Sequence, residues 1–200
     1  AIWSARWRVQ TRWIVAGALI AVVYLPSLYF RFTGASGDVA NRRIAPKDAQ
    51  SALNRDIAAA LRASQPEGPI TLLSSPNSST GIGYYGRFQT VGTLYWENTE
   101  GLKAAASVFA AKTEDEAAKR IKELGITHIA IISDENFIEQ YYRLLNPAAT
   151  TEEVRKCFGL KIMLDRAVPQ WLQMLPYRIP DDLSSLKYTV MLFKVNFSQN

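Results

Sequence analysis

One cysteine, Cys157, and one histidine, His128, occur in 200 residues. A single thiol excludes an intramolecular disulfide, and one Cys with one His excludes a Cys/His zinc site within the chain. Cys157 lies in the helix-like stretch Thr151 to Phe158 and reads as a small buried residue. His128 opens the apolar run Thr127-His128-Ile129-Ala130-Ile131-Ile132, and a structural role at a strand edge is its plainest reading. Runs of like charge are also missing. The net charge of +5 comes mostly from Arg6, Arg8 and Arg12, because residues 1–30 hold no acid. Without a later Lys/Arg-rich run, nucleic acid is not an expected partner.

One long uncharged stretch is present, Trp13 to Phe30. Roughly 18 residues at ~1.5 Å each span ~27 Å, close to the hydrocarbon thickness of a bilayer. Trp3, Trp7 and Trp13 lie before or at its start, and Tyr24, Tyr29 and Phe30 lie toward its end, as an aromatic belt does. Pro26 falls in the last turn, where a membrane helix tolerates it. We therefore expect a cytoplasmic segment at 1–12, a single-pass transmembrane helix at 13–31, a linker at 32–45 and an extracytoplasmic domain at 46–200. The anchor residues are Trp7, Trp13, Tyr24, Pro26, Tyr29 and Phe30, with membrane lipid as a partner. Arg6, Arg8 and Arg12 favour an N-terminus on the cytoplasmic side, which is a periplasmic domain in a bacterium.

Beyond the linker the pattern is α/β. Pro46 opens a helix with Ala49, Leu53, Ile57 and Leu61 on one face. Ile70 to Leu73 reads as a short strand, a helix starts around Pro76 to Thr80, and Gln89 to Trp96 reads as a second strand. Thr113 caps a further helix with Glu116 as its capping-box partner, and Gly125 stops it. Ile126 to Ile132 is a β-branched strand. Ser133 and Asp134 are expected to cap the next helix, which ends at Asn146-Pro147. Tyr188 to Val195 supplies a final strand. Alternating strands and helices imply a small parallel-type sheet with covering helices.

Gly81-Ile82-Gly83-Tyr84-Tyr85-Gly86 matches G-x-G-x-x-G, but Ser74 to Thr80 separate it from the preceding strand. A dinucleotide site needs the first glycine directly after that strand, so glycines in a tight loop or at a helix contact explain the pattern better, and no cofactor is expected. The carboxylates Glu114-Asp115-Glu116 and Asp134-Glu135 fall in first helical turns, where they suit the helix dipole. Asp181-Asp182 lies in a Pro-flanked loop without a metal partner nearby. Asn77-Ser78-Ser79 and Asn196-Phe197-Ser198 match the glycosylation sequon, a triplet frequent by chance. Tyr84, Tyr85, Arg87, Tyr95, Trp96 and Glu97 form the candidate ligand or partner surface. Aromatic faces with Arg and Glu suit sugar rings or a protein surface; core packing would claim at least two of the four aromatics.

The order of these parts resembles the C-terminal end of polytopic GT-C-type membrane glycosyltransferases, which use lipid-linked sugar donors and include the oligosaccharyltransferase catalytic subunits among their relatives. The resemblance covers Arg6 to Val195 and is clearest from Phe109 to Ile132, a helix, a T-x-D-E-A cap, a helix and L-G-I-T-H-I-A-I. It implies an extracytoplasmic α/β tail domain and a sugar or lipid-linked sugar as ligand. Oligosaccharyltransferases carry WWDYG in this region, whereas the nearest stretch here is Gly83-Tyr84-Tyr85-Gly86. The family's catalytic carboxylate and donor site belong to a many-helix membrane core, and this chain shows one span. No catalytic residue is therefore assigned. The expected role is a non-catalytic accessory or assembly subunit among other integral membrane proteins. The alternative is the accessory domain of a lipid-linked-sugar glycosyltransferase, with Tyr84, Arg87, Trp96 and Glu97 on the acceptor side.

Overall fold

A computed structural model of the chain describes residues 46–95, 97–133 and 136–197, all within one compact unit. The expected segments 1–12, 13–31 and 32–45, with Trp7, Trp13, Tyr24, Pro26, Tyr29 and Phe30, lie outside the described residues, as do Trp96, Asp134, Glu135 and Ser198. Among the described residues no helix is long and apolar enough to cross a membrane.

The chain runs through α1 (Pro46–Ser64), β1 (Thr71–Leu73), α2 (Pro76–Gly86), β2 (Gln89–Val91), α3 (Thr99–Phe109), α4 (Glu114–Glu123) and β3 (His128–Ile132). It continues with α5 (Phe137–Leu145), α6 (Thr151–Arg155), α7 (Phe158–Asp165), β4 (Leu172–Leu175), a 3-10 turn (Asp181–Leu186) and β5 (Val190–Val195). The five strands form one sheet in the order β2-β1-β3-β5-β4. β1 pairs parallel with β2 and with β3, but β5 runs antiparallel to both β3 and β4. The sheet is thus mixed, and the parallel reading holds only for its N-terminal half.

Side-chain alternation splits the core in two. Ile129 and Ile131 of β3 face α3, α4, α5 and α7, where Phe109, Ile121, Tyr141 and Phe158 are buried. Ala130 and Ile132 face α1 and α2, where Leu53, Ile57, Leu61 and Ile82 are buried. Every residue of β3 is buried, which is why it reads as a continuous apolar run without polar alternation. The α1 face expected from Ala49, Leu53, Ile57 and Leu61 is the face packed on the sheet.

Local signals hold or shift for physical reasons. Thr113 accepts the Glu116 N–H at 3.2 Å, as a cap should, but the Glu116 carboxylate takes the Lys112 N–H at 3.0 Å, one residue before the capping-box position. Gly125 adopts φ +60° and ends α4. Ser133 does not cap α5: its hydroxyl accepts the Thr189 N–H at 2.8 Å and prolongs the β3–β5 ladder, leaving Asn136 at the cap position. The expected strand Gln89 to Trp96 stops at Val91, because Gly92 turns the chain at φ +75°. A Cβ there would meet the Ala105 Cβ at 2.7 Å. The stretch Thr151 to Phe158 is the short α6 followed by α7, with Cys157 at the cap position between them.

Candidate functional site

The stretch Gly81 to Gly86 belongs to α2. Ser75 starts this helix by accepting the Ser78 N–H at 3.2 Å, and Pro76 takes the first helical position, where its missing N–H costs nothing. The three glycines are contact points. A side chain at Gly81 would strike Asn54 of α1, one at Gly83 the Thr90 methyl, and one at Gly86 the Phe88 ring. They let α2 lie close against α1 and β2, which accounts for the motif as helix packing. The helix closes on Arg87, in the left-handed conformation (φ 53°, ψ 45°), its N–H bonded to the Gly83 carbonyl.

This geometry decides where the predicted surface residues stand. Tyr84 is 78% exposed and meets Tyr85 edge-on, with ring centroids 5.3 Å apart. Tyr85 is half-buried beneath the Arg55 guanidinium, which lies 5.1 Å from its ring centre. Arg87 and Glu97 are exposed. After Gly92 the chain returns alongside α2, where Thr80 Oγ1 accepts the Leu94 N–H at 3.1 Å. Leu94 and Tyr95 stay 58% and 68% exposed. Of the three described tyrosines, Tyr84 and Tyr95 stand on the surface, whereas Tyr85 packs its ring against the α1–sheet core.

Sequence grouping missed Arg55, Thr80 and Leu94. The legible signal for Arg55 was its spacing: Arg62, seven residues on, shares its helix face and lies over the Phe88 ring at 5.0 Å. Both guanidinia rest on aromatic rings, the arrangement a cation–π contact favours.

Several titratable groups elsewhere in the unit are held in place by burial or by a hydrogen-bond partner. His128 is fully buried, with Nε2 3.1 Å from Ser64 Oγ and Nδ1 2.9 Å from Thr127 Oγ1. Burial, helped by the positive charges of Lys194 and Arg62, lowers its pKa to about 4. Burial raises the Cys157 thiol above its ordinary range, away from nucleophilic use. Tyr177 donates to Asp56 Oδ2 at 2.7 Å, and burial with that carboxylate raises the phenol pKa. Asp181 accepts from Arg178 at 2.8 Å on the surface. Among the described residues no three His, Cys, Asp or Glu converge as metal ligands.

A shallow cavity of about 270 Å³ also opens between α5, α6 and α7, lined by Asn136, Thr151, Arg155 and Leu164. Glu139 on its wall is already paired with Arg143 at 3.0 Å.

No protein-family profile matches the chain, and no curated protein matches it. Among solved structures it is similar to two C-terminal globular domains of oligosaccharyltransferase from Archaeoglobus fulgidus. One is 18% identical over 75% of this chain and 96% of that one, with a TM-score of 0.49. The other is 19% identical over 72% of this chain and 95% of that one, with a TM-score of 0.48.

Proposed function

We propose that the α/β unit is the extracytoplasmic part of a single-pass membrane protein and acts as a non-catalytic accessory or assembly subunit of a larger membrane complex. The observation that carries this reading is the α2–β2 corner, where Tyr84, Leu94 and Tyr95 stand exposed beside Arg87. Exposed aromatic and apolar groups rimmed by charge make a recognition surface. Glu116 and Glu153 cap helices, Glu100, Glu123, Glu139, Glu152 and Asp181 form surface pairs, Asp56 holds Tyr177, and His128 is sealed within the core. These placements favour recognition over reaction.

Partners of this surface are other integral membrane proteins, membrane lipid, or a sugar. A second reading draws on the same corner and on the resemblance of Phe109 to Ile132 to the tails of lipid-linked-sugar glycosyltransferases. The unit is then the accessory domain of such an enzyme. Tyr84, Arg87 and Glu97, with Trp96 beside them in sequence, face the acceptor. A sugar ring stacks on a tyrosine face while Arg and Glu hydrogen-bond its hydroxyls.

The test is gentle detergent extraction of the native protein, size-exclusion chromatography, and mass spectrometry of what co-elutes. Co-elution at fixed stoichiometry with polytopic proteins is expected. Elution alone sinks the assembly reading, and soluble oligosaccharides would then be titrated against the aromatic corner.

A further inference from the structure

Exposed apolar side chains are ordinary when scattered and informative when they gather beside charge. Tyr84, Leu94 and Tyr95 gather. Thr80 holds the Leu94 N–H, and Tyr84 stands one helical turn beyond Thr80, so loop and helix present one surface. Two guanidinia border it, Arg55 over Tyr85 and Arg87 at the helix end. Neither makes an ion pair among the described residues. Asp56, next to Arg55 in sequence, is engaged by Tyr177, and Glu97, two residues after Tyr95, is exposed.

Arg87 adds a second argument. It occupies a left-handed cap where glycine is the low-energy choice, as Arg166 does at the end of α7. A strained arginine with an exposed side chain points to a use for that side chain.

We propose that this corner docks on the surface of a bilayer containing anionic phospholipid. Tyr84, Leu94 and Tyr95 enter the headgroup layer, where amphipathic rings are favoured. Arg55 and Arg87 then meet lipid phosphates, for which the guanidinium fork is suited. The inference rests on the membrane reading above and names the partner of that surface.

The test reconstitutes the full chain in phosphatidylcholine vesicles, with or without phosphatidylglycerol. A bimane probe is placed at Tyr84→Cys or at Lys119→Cys, the latter exposed on α4 across the sheet. Cys157 is 1% exposed and adds little background. Nitroxide lipids labelled near the headgroup serve as quenchers. Quenching at position 84, but not at 119, is expected when phosphatidylglycerol is present. Arg55→Gln and Arg87→Gln should each lower the docked-to-free ratio about fivefold, while Arg55→Lys and Arg87→Lys retain it. Equal quenching at the two positions overturns the docking, as does quenching at 84 that ignores lipid charge. Alkaline carbonate washing separates the two readings. A chain that washes off sinks the membrane reading and the docking with it, whereas a retained chain with an unquenched probe at 84 sinks the docking alone.

Discussion

Two of the helix-to-strand corners in this fold, those after α4 and α2, turn through a left-handed conformation that Arg166 after α7 also adopts. At the end of α4 the left-handed residue is Gly125, φ +60°, with open space where a side chain would stand. At the end of α2 it is Arg87, φ +53°. The first corner follows the economical rule for helix ends and leads into the fully buried β3. The second breaks that rule and leads into the edge strand β2, beside the most exposed aromatics. One turn serves the core and carries no side chain; the other serves the surface and carries a cation.

That contrast can be sharpened by substitution. The largest effect is expected where the second corner closes. Gly92→Ala combines a left-handed conformation with a contact to the Ala105 Cβ at 2.7 Å, and should cost about 3 kcal/mol in a urea-unfolding experiment. An unchanged midpoint would show that the turn after β2 is soft.

The first corner carries the next effect, through His128 at the start of β3. Its folded pKa of about 4 lies below the ordinary 6.5. The unfolded chain therefore binds the extra proton first as pH falls. This contribution to stability is full above pH 6.5, declines between 6.5 and 4, and is flat below. Melting temperature should fall across that window by an amount that His128→Gln reduces. A slope identical in the variant would assign the decline to carboxylates instead.

Gly125→Ala should destabilise by about 1 kcal/mol, since only the backbone conformation opposes it. Arg87→Gly should do the reverse, raising stability by about 0.5 kcal/mol once the looser unfolded chain is counted, while weakening whatever the corner binds. Opposite signs at two equivalent turns would establish that Arg87 is kept for its side chain. A destabilised Arg87→Gly would mean that the arginine supports the fold.

Much of the first corner was legible and much of the second was not. The Ala49–Leu61 spacing, the Thr113 cap and the Gly125 stop are signals written in a few adjacent residues, and each appears where expected. The extent of β2 depended on Ala105 and Tyr141, which crowd Gly92 from distant positions in the chain. The role of Ser133 depended on Thr189 in the same way. Sheet direction was harder still. Val190 to Val195 is an apolar run that fits either direction, and regular strand–helix alternation favoured parallel. The intervening β4, with Gln173 and Met174 exposed and prolines close to either end, broke that alternation without resembling a strand. At the surface, sequence proximity grouped Tyr84, Tyr85, Arg87 and Tyr95 and passed over Leu94 beside Tyr95, but it could not supply Arg55, which reaches the corner by packing over Tyr85.

The strand order has a consequence for synthesis. β5 is made after β4 yet lies between β4 and β3, holding the two together. Until its residues emerge, β3 has one open edge and β4 has no partner at all. The half-made domain thus exposes apolar strand edges while its helices are already present. A chaperone arriving during translation would find its target there, and a frameshift near residue 189 would remove the strand that joins β4 to the rest of the sheet while leaving both margins encoded.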